Sequence, residues 1–522
     1  MTNEKKQILW VDDEIEFLRA HIMFLEEHDY SVSKATNGND AIELVREKHF
    51  DLVFLDEQMP GKDGLTTLEE IKEINSSLPV VFVTKSEEEK LMEDAMGRNI
   101  NGYLTKPVNP SQILSICKSI LYSKSIKKTH FTSTYVNEYA KFKAKLTSNP
   151  NPSVWSGLCK SLFKWDINIQ SIKDQGLEES HQKHKEEASK QFIKFVEQSF
   201  LSWQSNRTKA PFLSYHSLDR KLFPLLKNNK KVCLIVMAGL RMDQWLTMRE
   251  VLQDEFSMDE SIAWAPIPSD RLHSRSALLA GKNAREIALN FPELWQKIED
   301  EDEYRNYEKE LLKMNLATKG FSHIDQPSIQ YIRSLKDSKE FLTNINDYNE
   351  EPLITLVVEF AELLMNLRRE SSLLMEIAPT EVGFRELTKI WFKSSNLLKA
   401  LQLFSLKDRH IVLTSDHGSV LVRQPVEVFC QEERSPHPRV KKGKDISCDE
   451  RHVFFIESPK HFGLPGEEGE VGYAIAKEDY YFTYPNKFQY FGSRFKNQMV
   501  SGGLSIDEII VPLITMTPKK RL

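Results

Sequence analysis

Between residues 7 and 122, five short apolar runs alternate strictly with five segments of helical periodicity. The runs are ILWV, VSKA, LVFLD, VVFVT and YLTKP; the segments are FLRAHIMFLEEH, AIELVREK, LTTLEEIKEI, LMEDAMGR and ILSICKSILYS. Alternation of that kind predicts an α/β fold, a doubly wound parallel sheet with helices on its faces. In an open α/β sheet, ligands collect beyond the carboxyl ends of the strands, so residues at those ends carry the chemistry. Asp12 and Asp13 follow the first run, Asp56 ends the third, Thr84 ends the fourth, and Lys106 before Pro107 ends the fifth.

Three clustered carboxylates repel one another unless a divalent cation sits among them, and an all-oxygen set suits Mg²⁺ with waters completing its octahedron. The expected cage is Asp12, Asp13 and Asp56, with the main-chain carbonyl of Gln58 a further ligand. An aspartate beside Mg²⁺ can attack a phosphohistidine in line, leaving an acyl phosphate on Asp56. Lys106 then neutralises one phosphoryl oxygen and Thr84 donates its hydroxyl to another. Singly, each residue reads as an idle solvated side chain of a flavodoxin-like fold. As an ordered set, each at the end of its own strand, they do not.

On these motifs residues 5–122 resemble the CheY-like receiver family over its whole length. The resemblance implies that Tyr103 is an aromatic switch, turning inward as Thr84 moves toward the phosphoryl group; the alternative is an ordinary strand aromatic at the edge of the core. It also implies a sensor histidine kinase as partner.

At 522 residues the chain exceeds one ordinary core, and about three domains are expected. From 125 to 225 the text turns helical, as in YVNEYAKFKAKL, WSGLCKSLFKWDINI and KEEASKQFIKFVEQSFLSW. After KNNKK the buried run VCLIVMA opens a second alternation of α and β pieces. The expected domains are 1–124, the receiver; 125–225, a small all-α connector bundle; and 226–522, a larger α/β domain. A formal charge of −6 supplies no broad basic field for nucleic acid. The five cysteines lack CxxC or CxxH spacing and read as reduced thiols. Neither a secretory h-region nor 18 uninterrupted apolar residues occurs, so a cytoplasmic protein without membrane insertion is expected.

In the last region LIVMAGLRMDQW, FAELLMNLRRE, IVLTSDHGSV and SGGLSIDEIIVP resemble the PglZ domain of the alkaline phosphatase superfamily. With receiver and helical connector in front, the whole chain resembles the PorX-type response regulators of bacteria with type IX secretion. That resemblance implies a two-zinc phosphodiesterase fold acting on nucleotide phosphodiesters, phosphorylation-dependent homodimers, and a sigma factor or secretion component downstream. Residue by residue, most of the implied equipment is missing. Ala238 stands where the first metal-binding Asp belongs, Arg271 where the Thr nucleophile belongs, and Ser501 where a His belongs. The expected Asp-x-x-x-His pair is Glu362 and Asn366; only Asp416 and His417 match.

A site with two strong donors and no nucleophile falls below what zinc requires, and zinc is not expected in the effector domain. Arg271 is expected to supply the positive charge instead, pairing with Asp416, Glu362 or both. A register slip that makes Ser269 or Ser274 the counterpart of Thr is the alternative. Asp243 reads as a surface or helix-start carboxylate, His273 and His323 as structural, and PHPRVKKGK at 436–444 as a solvated loop or a nucleotide or partner contact. Two function classes follow: a non-catalytic signalling platform, favoured here, or a zinc-dependent phosphodiesterase with a rearranged site.

Overall fold

The computed structural model describes residues 5–85, 100–205, 208–299, 304–431, 437–467, 469, 471–483 and 494–519. The chain forms two compact units, 1–138 and 139–522.

The first unit is built on a five-stranded sheet of order β2-β1-β3-β4-β5, with β1 Lys6–Val11, β2 Tyr30–Ala35, β3 Leu52–Asp56, β4 Val80–Thr84 and β5 Gly102–Thr105. Every neighbouring pair is parallel. The two-residue period of a strand sorts its side chains into two cores. Leu9, Val11, Val53, Leu55, Val80 and Phe82 face one, while Ile8, Trp10, Leu52, Phe54, Val81 and Val83 face the other. Helices Gly38–Glu47, Gly64–Ile74 and Pro110–Leu121 are started by the side chains of Asn37, Asp63 and Asn109, each accepting a backbone N–H. The expected helix LMEDAMGR lies outside the described residues.

In the second unit, Pro152–Ile172 and Gln175–Ser205 are the long connector helices, preceded by Ser123–Thr147, which runs through the junction of the units. Asp166 accepts from Lys185 at 2.9 Å and meets His181 at 3.0 Å, tying the two long helices together. They pack on the α/β domain that follows: Trp264 donates its Nε1–H to Ser156 Oγ at 2.9 Å, and its ring packs against Phe192, Phe195 and Trp203.

The effector core is a six-stranded sheet of order β7-β18-β10-β6-β9-β8. Its strands are β6 Val232–Met237, β7 Phe256–Trp264, β8 Ser328–Ile332, β9 Leu353–Val358, β10 His410–Thr414 and β18 Ile510–Pro518. β8, β9, β6 and β10 run parallel, and β18 and β7 join antiparallel. The three central parallel strands are buried throughout, which is why VCLIVM, LITLVV and HIVLT are almost unbroken apolar text. A smaller five-stranded sheet, order β14-β15-β13-β12-β16, holds β12 Gln424–Gln431, β13 Val440–Cys448, β14 Val453–Ile456, β15 Gly472–Ala476 and β16 Tyr480–Thr483. β11 Val420–Leu421 pairs with β17 Met499–Val500.

Much of PHPRVKKGK is therefore strand rather than solvated loop. Arg439 and Lys441 within it are buried, Arg439 donating to Glu508 at 2.8 and 2.9 Å. Asp243 is also corrected: it sits in the first turn of helix Met242–Met248 but is fully buried, held between Arg241 and Arg385 at 2.9 Å each. Charge read from text alone favours the surface, and only the fold supplies the partners that let these groups be buried, Glu508 for Arg439 and the two guanidiniums for Asp243.

Candidate functional site

In the first unit the parallel register brings the ends of β1, β3, β4 and β5 to one edge of the sheet. Asp12 and Asp56 are buried and Asp13 is exposed. Their ligand oxygens lie within 4.8 Å of one another, the only such trio of His, Cys, Asp or Glu side chains among the described residues. Gln58 and Asp13 both line a surface pocket with Glu57, Met59, Pro60, Asp63 and Leu65. Lys106 donates to Asp12 at 2.8 Å and to Asp56 at 2.9 Å. Burial pushes the Asp56 carboxyl above the usual range and the charges of Asp12 and Asp13 add to this, while Lys106 opposes them. Burial disfavours the Lys106 ammonium, but its bonds to Asp12 and Asp56 outweigh that and raise its pKa.

The donor set fits a hard divalent cation: three carboxylates, Asp12, Asp13 and Asp56, converge at a partly open site and would hold Mg²⁺, which would supply charge neutralisation for an incoming phosphoryl group. The chain's own part is positional. Asp56 is one of the two buried carboxylates of the trio, and Lys106 ties it to the other, Asp12. Thr84 is buried at the end of β4 and its hydroxyl donates to the Glu57 carboxylate, a partner the motif reading did not single out. Tyr103 is 40% exposed on β5.

In the second unit Ala238, Glu362, Asp416 and His417 follow the ends of β6, β9 and β10. Ala238 and Asp416 are fully buried. Gly239 takes the left-handed φ of 71° that turns the chain here, and its N–H donates to Asp416 Oδ1 at 3.1 Å. Asp416 does not pair with Arg271. Its partner is Arg275, whose Nε lies 2.8 Å from Oδ2, while Arg271 meets Glu362 at 3.5 Å. Both start from helix Arg271–Ala280, and a step of four residues places Arg275 one turn deeper, facing the sheet.

Glu362 bridges the two arginines, with Arg275 Nη2 at 3.2 Å; Glu308 and Glu359 lie 3.6 and 3.9 Å from Arg275 Nη1. Burial disfavours both ions. In spite of it, the nearby His417 and Arg275 hold the Asp416 carboxyl well below the usual range, and Asp416, Glu308 and Glu362 raise the Arg275 pKa.

Of the remaining positions, His417 lies beside Asp416. His417 Nδ1 meets the Gly418 carbonyl at 2.8 Å, and its Nε2 lies 3.7 Å from Asp416. Asn366 is exposed and accepts from Arg369 at 3.2 Å; Ser501 is half-buried near the end of β17. His273 is buried on the Asp270 carboxylate at 2.8 Å, and His323 is exposed.

A zinc pair does not fit these residues. The Asp416 and Glu362 carboxylates are both taken by a guanidinium, the Ala238 side chain offers no donor atom, and a permanently charged Arg275 repels a second cation. Sequence reading missed Glu308 and Glu359. Glu308 carries a signal: it shares the buried stripe of helix Tyr304–Thr318 with Leu311, Leu312 and Asn315, an unusual place for an acid.

Three family matches cover the chain in order. The response regulator receiver domain matches residues 8–118, the PorX response regulator linker domain 125–204, and the BREX system PglZ alkaline phosphatase-like domain 217–516, more than half of the chain. This chain belongs to the PorX-type response regulators.

Curated relatives of this PorX-type chain match its receiver. The transcriptional regulatory protein ResD of Bacillus subtilis is 35% identical over 120 residues, covering 23% of this chain and 49% of ResD. ZraR of Escherichia coli is 34% identical over 127 residues, 24% of this chain and 29% of ZraR. Chemotaxis protein CheY of Halobacterium salinarum is 32% identical over 117 residues, 22% of this chain and 97% of CheY. The chain thus spans half or less of the length of ResD and ZraR. A solved CheY-like receiver from Methanospirillum hungatei is 24% identical and covers 23% of this chain and 98% of its own, with a TM-score of 0.23. No described helix is long and apolar enough to cross a membrane.

Proposed function

We propose that this response regulator accepts a phosphoryl group on Asp56 from a sensor histidine kinase, and that its PglZ-like domain passes on the signal as a non-catalytic binding platform. The domain division is 1–124, 125–225 and 226–522. The acceptor reading is supported by the acidic trio with Lys106 bonded to two of its members. One observation carries the platform reading: the Arg275 guanidinium lies between Asp416 and Glu362, the carboxylates a metal would need. With Ala238 beside it and Arg271 in place of a Thr nucleophile, the site has neither a cage nor an attacking group. A nucleotide phosphate is the ligand class that the resemblance and the two arginines favour for the platform. By the same resemblance the pathway regulates type IX secretion, through a sigma factor or secretion component.

The test is hydrolysis of bis-nitrophenyl phosphate by the purified full chain, with and without added zinc, together with its zinc content. No turnover and substoichiometric zinc are expected. Turnover that disappears in Asp416→Ala establishes the alternative, a zinc-dependent phosphodiesterase with a rearranged site.

A further inference from the structure

The parallel register of β3 and β4 pairs Asp56 with Val83, which puts the next residues along, Glu57 and Thr84, beside each other at the edge of the sheet. Glu57 has little freedom to leave. Its N–H donates to the Val83 carbonyl at 3.3 Å and its carbonyl accepts the Gly64 N–H at 2.9 Å. Gly64 presses on the same segment so closely that a Cβ there would lie 2.5 Å from the Asp56 carbonyl oxygen and 2.8 Å from Glu57 Cα. From this pinned backbone the half-buried Glu57 side chain accepts the hydroxyl proton of the buried Thr84. Lys106 is occupied by Asp12 and Asp56.

A hydroxyl has one proton to donate. In the unphosphorylated receiver that proton goes to Glu57; a phosphoryl group on Asp56 offers three strong acceptor oxygens for the same proton. We infer that Glu57 is a positioning residue that acts through Thr84, holding the hydroxyl on a competing carboxylate so that phosphorylation must exchange one acceptor for another. The Glu57 bond therefore sets how far the unphosphorylated receiver lies from its active arrangement. Thr84 leaves Glu57 only when a better acceptor is in place. This inference rests on Asp56 being the acceptor.

Beryllofluoride with Mg²⁺, a stable stand-in for the phosphoryl group, tests it by fluorine NMR on the full chain. Glu57→Ala should tighten beryllofluoride binding roughly 3- to 10-fold, the range that one net hydrogen-bond exchange is worth. Glu57→Gln, which keeps an acceptor without the charge, should fall between. In a Thr84→Val background, which has no hydroxyl to hold, Glu57→Ala should have no effect. Unchanged affinity in Glu57→Ala overturns the inference. So does equal tightening with and without the Thr84 hydroxyl, because direct charge repulsion alone would then account for it. No bound signal in the parent chain overturns the Asp56 assignment itself, and the role of Glu57 with it.

Discussion

Arg275 and Arg271 lie on one helix four residues apart, yet burial gives them different energetic weight. The Arg275 side chain is 1% exposed and bonded to Asp416, which is fully buried, whereas Arg271 is 26% exposed and meets the 22% exposed Glu362 carboxylate at 3.5 Å. Removing one partner of a buried pair leaves the other charge uncompensated, a loss of about 3–5 kcal/mol, while a partly exposed pair is worth about 0–1 kcal/mol. Arg275→Met should therefore destabilise the effector unit by about 3–5 kcal/mol in urea unfolding, and Arg271→Thr by less than about 1 kcal/mol. The pH dependence has a definite sign. In the parent chain the depressed Asp416 pKa contributes stability above the ordinary carboxyl range that is lost as pH falls. In Arg275→Met the unpaired acid can take up a proton instead, so the deficit relative to the parent should shrink as pH drops below about 5. Equal losses in the two variants would show that Arg271 shares the buried charge after all.

Where strand β13 begins, His437 is packed against the turn that follows β17. A Cβ on Gly502 would come within 2.4 Å of its ring, and its Nδ1 accepts the Arg439 N–H at 3.3 Å. Desolvation lowers the His437 pKa from 6.5 to about 4; Asp270 opposes the shift, and Lys441, Arg439 and His417 reinforce it. For a base whose folded pKa is depressed, the unfolded chain takes up the proton first. Stability is then lost as pH falls from 6.5 toward 4. His437→Gln should flatten this part of the profile, seen as a smaller drop in urea midpoint between pH 7 and pH 5 than in the parent chain; parallel profiles would remove His437 as the cause. Elements of this kind mark the limit of what the sequence reveals. The receiver strands were legible because period and length agree with a sheet covered on both faces, and the ends of those strands named Asp12, Asp13, Asp56, Thr84 and Lys106 directly. Burial of Arg439, Lys441 and Asp243 was not legible, because each depends on a partner brought in by tertiary contact: Glu508 for Arg439, and Arg385 for Asp243. Of the two partners expected for Arg271, Glu362 is the one it meets, while Asp416 goes to Arg275, for a related reason. Spacing identifies which residues share a helix face, but not which of two arginines reaches the sheet.

At the scale of the whole chain, a phosphoryl group on the receiver must change something that a partner or a second copy can read. Tyr103 is the candidate readout: it is a large aromatic, 40% exposed on β5, one register step from the strand that ends in Thr84. Burying such a side chain beside the site alters an exposed face at the β5 edge of the sheet, and an isologous contact between two such faces is the commonest route to a symmetric dimer. The helix expected between β4 and β5, LMEDAMGR, lies outside the described residues. Acetyl phosphate with Mg²⁺ should therefore label the chain and raise its weight-average sedimentation coefficient in a concentration-dependent way. Asp56→Asn should abolish both effects, because the amide cannot form the acyl phosphate. Tyr103→Ala should separate them, keeping the label while reducing the shift, since Tyr103 is not among the groups bonded to Asp56. A fully labelled parent chain that sediments as before would show that phosphorylation is read without dimerisation, and would leave the effector surface as the place where the signal is received.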